Sequence, residues 1–251
     1  VPAFDDLVRE GDRASVDAWD FTWLDGRATE DRPSWRYFDR VAERVRDVSS
    51  VVELQAGTGS MIGRLPALPA FAVATDGFAP SIATAAPRLR ERHVHLAVTS
   101  QVVPGLPFAG ATFDLVVSRH PVDVWWDEIT RVLRPGGVYF AQHVGAHSLR
   151  DLAELFVQPW PETSRRDPTL EARAAQAAGL VVNDLRSERT RVAFHDIGAV
   201  VYFLRLVPWI VPDFSVDRYG NELRRLHERI ERDGVYETTS SRTLIDAAKP
   251  A

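Results

Sequence analysis

The stretch Val51-Val52-Glu53-Leu54-Gln55-Ala56-Gly57-Thr58-Gly59 decides how the chain is read. Residues 51–54 are a short apolar run carrying one acid, the pattern of a buried strand. The run breaks into a turn where Gly57 and Gly59 let the backbone reverse tightly and approach a ligand with no Cβ in the way. A helix can begin at Ser60, so the turn is a candidate nucleotide cradle. Many α/β loops carry a Gly-x-Gly turn and no ligand, so the reading depends on its surroundings.

Downstream, residues 70–75 read as a second strand ending at Asp76. A carboxylate there, about twenty residues after the glycine turn, can accept hydrogen bonds from both ribose hydroxyls. A dinucleotide is disfavoured because Ile62 stands where G-x-G-x-x-G needs its third glycine, and a P-loop is excluded because no Lys-Ser/Thr pair follows. Residues 93–98, 113–118 and 138–143 read as further strands. Helical patterns at 81–90 and 122–133 lie between them, the second stopped by Pro135-Gly136-Gly137. Short apolar strands alternating with helices mark a parallel sheet covered on both faces, an α/β fold.

On the N-terminal side, residues 1–30 hold an apolar and aromatic set suited to one or two short helices. Pro33 and Ser34 open a helix with Trp35, Phe38, Val41 and Val45 at helical spacing. Past the glycine turn, Met61, Ile62 and Leu65 suggest a short helix closed by Pro66. Beyond Gly145, residues 149–156 are helical, Asp167-Pro168 caps a helix running to Gly179, and 180–191 and 236–247 read as strands. Two helices lie between those last strands, the second bearing Leu223, Leu226 and Ile230 on one face.

The chain has 251 residues, enough for one large domain, 1–251. No apolar run approaches the roughly 20 residues of a membrane span, and no signal-peptide pattern opens the chain, so a cytoplasmic protein with no membrane partner is expected. A net charge of −5 argues against a nucleic-acid surface. Cysteine is absent, which removes disulfides, thiolate metal sites and cysteine nucleophiles. His93 and His95 share a strand face but lack a third ligand nearby, so no metal is expected. Arg224, Arg225 and Arg229 alternate with Glu222, Glu228 and Glu231, which reads as a solvated helix face.

Taken in order, Glu53 to Gly59, Asp76, Leu106-Pro107-Phe108, Phe113 to Ser118 and Arg131 to Gly137 resemble the class I S-adenosylmethionine-dependent methyltransferases, most closely from Tyr37 to Gly145. The resemblance implies a Rossmann-like, doubly wound, mostly parallel seven-stranded sheet with helices on both faces. Residues 1–47 would form an N-terminal helical lid, 48–145 the cofactor-binding half, and 146–251 a substrate-side half whose helical cap insert spans about 193–234. It also implies S-adenosylmethionine as cofactor. Gly57 and Gly59, flanked by Glu53, Gln55 and Ala56, would lie under its methionine and ribose. Asp76 would hold the ribose hydroxyls, Phe78 beside Gly77 would cover an adenine face, and Ser100 and Gln101 would sit at the adenine edge. Ser118, Arg119 and His120 would face the methyl. Two departures stand out: Gln55 replaces the first glycine, and Thr99-Ser100-Gln101 replaces an adenine-contacting acid.

Methyl transfer asks for in-line alignment and exclusion of water, and a hydroxyl or amine acceptor also benefits from a base. His120 and His143, at the ends of adjacent strands, are the candidate bases, because ligands gather at the carboxyl ends of strands in an open sheet. Arg32, Trp35 and Tyr37 precede the core and can reach the cofactor carboxylate or sulfonium, or the acceptor; Trp126 is a further candidate for lining the acceptor site. Arg119 is also suited to an acidic substrate group. The expected function is methyl transfer to the oxygen, nitrogen or carbon of a small molecule. The alternative is a protein that binds the cofactor on this fold for a non-methylating reaction or a binding role.

Overall fold

The computed structural model describes residues 3–16, 21–100, 103–158 and 166–251. Its helices are α1 (Phe4–Arg13), α2 (Tyr37–Arg44), α3 (Ala79–Glu91), α4 (Trp126–Val132), α5 (Arg150–Ala153), α6 (Pro168–Ala177), α7 (Ile197–Leu206) and α8 (Gly220–Asp233). Its strands are β1 (Ala28–Glu30), β2 (Ser50–Leu54), β3 (Phe71–Asp76), β4 (His95–Val98), β5 (Phe113–Arg119), β6 (Leu133–Val144), β7 (Val181–Phe194) and β8 (Tyr236–Ala248).

Among the described residues these strands form one eight-stranded sheet in the order β1-β7-β8-β6-β5-β2-β3-β4. The pairs β3–β4, β2–β3, β2–β5 and β5–β6 are parallel, whereas β6–β8 and β1–β7 are antiparallel. The expected seven-stranded sheet is therefore corrected to eight. The extra strand is Ala28-Thr29-Glu30, three residues with no buried position and hence no apolar alternation to betray it.

The chain divides into two compact units. The first comprises Val1–Arg32, His147–Thr163 and Arg189–Ser241; the second comprises Pro33–Ala146, Ser164–Glu188 and Arg242–Ala251. The first unit has its own core, in which Leu7 and Val8 of α1 join Phe194, Val200, Leu204, Leu223 and Ile230. There α1 packs on α7 so closely that a Cβ on Gly11 would lie 2.3 Å from the Gly198 carbonyl oxygen, a contact only glycine allows. The N-terminal stretch read as one lid is split, its first 32 residues in this unit and α2 in the other.

In the second unit the sheet is covered on both faces, as the strand pattern requires. Val51, Ala72, Ala74, Val117 and Phe140 pack under α2 and α3 through Val41, Ala42, Ala85 and Leu89. The alternate residues Val52, Val73, Val116, Tyr139 and Ala141 pack under α4 and α6 through Ile129, Val132 and Ala175. Period-two alternation of strand side chains accounts for the division.

Three boundaries move. The helix expected after the glycine turn is only a 3-10 turn, Ile62–Arg64, because Pro66 leaves no room for an α-helical hydrogen-bond ladder. The helix read over 122–133 begins at Trp126, and the strand read from His93 begins at His95, since His93 takes a left-handed turn conformation with φ 56°. His93 and His95 are thus not strand partners on one face, and no group of three potential metal ligands occurs among the described residues.

Candidate cofactor and acceptor site

The parallel strands β3, β2, β5 and β6 end along one carboxyl edge, with Leu54 opposite Ser118 and Arg119 opposite Gln142. Paired residues in a sheet point to the same face. Glu53 pairs with Ala74 and Val117, so Asp76, Glu53, Arg119 and Gln142 form a row of polar side chains on one face at that edge. The adjacent turns 55–59 and 120–124 leave the sheet side by side.

The glycine turn is built around Asp76. One carboxylate oxygen accepts the Gly57 N–H at 2.7 Å, and the other accepts the Phe78 N–H at 2.8 Å. A carboxylate oxygen carries two lone pairs, so both keep acceptor capacity for the hydroxyls of a ribose. Gly57 has φ 57°, and the space a Cβ would fill there is open, so the turn presents bare backbone as a ligand cradle does. Gly59, with φ 67°, is packed by Leu89, whose side chain a Cβ would meet at 3.0 Å. Gly57 therefore leaves room for a ligand, and Gly59 allows close packing.

Glu53 is fully enclosed, and its Oε2 accepts the Ile62 N–H at 3.1 Å. Burial pushes its pKa up to about 8, and the nearby Asp76 charge adds to this; the Ile62 bond and Arg119 act in the other direction. Glu53 is thus held largely as the neutral acid at pH 7.

Gln55 takes a left-handed backbone conformation, φ 53°, at the position where the family pattern has glycine. Its side chain turns away from Gly57 and spans to the loop after β5: Oε1 accepts the Val122 N–H at 2.7 Å, and Nε2 donates to the Asp123 carbonyl at 2.6 Å. That bridge holds 122–123 out of helical conformation, which explains the late start of α4.

His120 opens the same loop with φ 59°, its N–H donating to the Gln142 carbonyl at 2.7 Å. The Trp35 indole N–H donates to Gln142 Oε1 at 2.7 Å, and an indole only donates. The Gln142 amide nitrogen, 2.9 Å from His120 Nε2, is therefore the donor, and Nε2 accepts. His120 is then a neutral imidazole with its proton on Nδ1. Desolvation, followed by the positive charges of Arg242 and Arg119, holds its pKa well below the ordinary value of 6.5.

His143 has no exposed surface. Nδ1 lies 2.8 Å from Glu171 Oε2, and Nε2 lies 2.9 Å from the Tyr139 hydroxyl. Both ring nitrogens are engaged inside the core, so His143 has no nitrogen open to an acceptor. Its expected role as a base is corrected on that ground: the imidazole ties β6 to α6. Glu171 and Arg166, which face each other at 3.7 Å, were not singled out from the sequence; Glu171 has the appearance of an ordinary acid in the first turn of a helix.

The remaining candidates scatter. Tyr37 is buried, stacks on Phe140 at 5.3 Å and donates to the Ser118 and Phe140 carbonyls, and the Ser118 hydroxyl turns back to the Leu54 carbonyl. Neither hydroxyl is free to face a ligand, nor is the Trp35 N–H. Trp126 is half-buried against Tyr139, edge to face at 5.4 Å, and Trp125 packs on the same core cluster. Both tryptophans therefore pack against one core cluster. Ser100 is exposed, and its hydroxyl accepts the Val103 N–H; Gln101 lies outside the described residues. Arg32 is exposed in the first unit. Arg119 is exposed, and its side chain makes no hydrogen bond or ion pair among the described residues. The Ala56 N–H donates to the Thr75 carbonyl at 2.8 Å, and Gly77 links Asp76 to Phe78.

Residues 51–137 match the family model described as Methyltransferase domain. The Escherichia coli K12 protein YafE, described as uncharacterized, is 26% identical over 158 residues, 58% of this chain and 74% of its own. Among solved structures, YcgJ of Bacillus subtilis has a TM-score of 0.61 at 16% identity, covering 86% of this chain and 99% of that one. The [4+2]-cyclase SpnF has a TM-score of 0.54 at 19% identity, covering 89% and 85%. Phosphoethanolamine N-methyltransferase 2 of Haemonchus contortus, in complex with S-adenosyl-L-methionine, has a TM-score of 0.55 at 16% identity, covering 100% and 61%. Residues 51–137 thus carry a methyltransferase domain by this match, and the solved structures share the fold of the chain.

Proposed function

We propose that the protein transfers the methyl group of S-adenosylmethionine to an oxygen, nitrogen or carbon of a small molecule. The observation that carries this reading is the Asp76 carboxylate folded over the Gly57 turn, with bare backbone beside it and the 120–124 loop on the adjacent strand. The bound cofactor supplies an already activated methyl, so the chain has to bind, align and exclude water. In this reading Asp76 takes the ribose hydroxyls, Gly57 lets the backbone approach, and Phe78 borders the base. Neutral Glu53 fills the floor of the turn without adding a second negative charge.

A small acceptor is supported by the acidic net charge, which argues against a general nucleic-acid surface. The described residues contain no helix long and apolar enough to cross a membrane. A cytoplasmic setting rests on composition alone. His120 serves as proton acceptor only where the acceptor group displaces the Gln142 amide from Nε2; a neutral amine attacks through its lone pair and needs no base before transfer, whereas a hydroxyl or carbon acceptor gives up a proton. Arg119, exposed beside His120, suits an acceptor bearing an acidic group.

The test is production of S-adenosylhomocysteine, quantified by mass spectrometry, across a panel of hydroxyl, amine and carbon acceptors. Turnover that depends on one acceptor class is the expected result. Tight cofactor binding with no methyl release across the panel favours the second reading, a cofactor-binding protein with a non-methylating role, which the fold shared with a cyclase supports.

A further inference from the structure

We infer that Gln55 is a positioning residue that couples the cofactor turn to the acceptor-side loop. Five of the seven backbone polar groups of segment 120–123 are held by hydrogen bonds. The His120 N–H donates to Gln142, the Pro121 carbonyl accepts from Arg166 at 2.7 Å, and the Val122 carbonyl accepts from Arg166 as well. The Val122 N–H and the Asp123 carbonyl belong to Gln55. Loops on a protein surface ordinarily leave such groups to water. Here two long side chains, one from the cofactor turn and one from beside α6, hold in a single conformation a stretch whose Val122 and Asp123 are exposed.

The two clamps differ in what they report. Arg166 also faces Glu171, within the Glu171–His143–Tyr139 network, and its own carbonyl accepts the Ala146 N–H, so it ties the loop to the sheet and α6. Gln55 is one residue from Ala56 and two from Gly57, whose N–H is fixed by Asp76. A ligand that orders residues 55–59 therefore also orders Val122 and Asp123 through the Gln55 amide. Glycine at this position would suit the φ of 53° without strain and leave the loop unclamped. The side chain thus accounts for a residue in a conformation that favours glycine. This inference rests on the reading of 55–59 as the cofactor turn.

Hydrogen exchange on the full chain tests it, with and without S-adenosylhomocysteine, in the wild type, Gln55→Gly and Arg166→Met. Gln55→Gly keeps the turn conformation and is expected to fold. In the free protein the Val122 amide should exchange about tenfold faster in Gln55→Gly, as loss of two hydrogen bonds implies. S-adenosylhomocysteine should slow that amide in the wild type and in Arg166→Met, but not in Gln55→Gly, even though calorimetry still shows binding there. Unchanged exchange at Val122 in free Gln55→Gly, or ligand-induced slowing that survives the substitution, overturns the coupling. A wild type that binds no S-adenosylhomocysteine overturns the cofactor reading and the coupling with it, and the free-protein comparison then tests the clamp alone.

Discussion

At the scale of single residues, the carboxylates divide the work by environment. Asp76 was legible in the sequence because its position after the second strand follows from strand length and turn spacing. The state of Glu53 was not, since it depends on burial among chain segments distant in sequence. With a pKa raised from 4.5 to about 8, Glu53 binds its proton more tightly folded than unfolded. Its contribution to stability is thus fully present below 4.5 and declines as pH rises to about 8. Glu53→Gln mimics the protonated acid. Its chemical-denaturation stability relative to wild type should therefore increase steadily over that window, and at pH 7 its affinity for S-adenosylhomocysteine should stay within about threefold of wild type, under 1 kcal/mol. A stability difference that does not change with pH would contradict a neutral Glu53. Gln55 shows the opposite limit of sequence reading: its identity flagged a departure, but its direction is set by a loop 67 residues later.

Among secondary-structure elements, the strands of the cofactor half were readable from apolar runs because both faces of a parallel sheet are buried. What escaped were features fixed by tertiary bonds or carrying no pattern: the late start of α4, the 3-10 turn at Ile62–Arg64 and the short strand β1. The His143–Glu171 pair belongs here too. His143 was read as a base from its place at the end of β6, and α6 was read from its Asp167 cap, whose side chain does accept from Thr169 and Leu170. Nothing in the sequence joined the two. Glu171→Ala strands the buried His143 Nδ1–H and removes the partner of Arg166. It should cost about 3 kcal/mol in urea unfolding, as loss of one member of a buried pair does, with a smaller loss for Glu171→Gln. A cost below about 1 kcal/mol would mean that the network is wet and of little consequence.

For the whole molecule, the class of fold and the methyltransferase domain were legible because five stretches occur in order along the parallel strands, and a match over residues 51–137 agrees with them. The second unit contains that sheet edge and every residue of the Asp76 turn, while the first unit is organised around α1 and α7. The account stands on the Gly57–Asp76 turn as the seat of S-adenosylmethionine. Calorimetric titration of S-adenosylmethionine into wild type and Asp76→Ala tests this most directly. Wild type should bind. The variant, which loses a charge-assisted partner for Gly57, Phe78 and the ribose, should bind at least about tenfold more weakly, the equivalent of one strong hydrogen bond. Equal affinity in the two proteins, or no binding by wild type at millimolar ligand, would contradict the account.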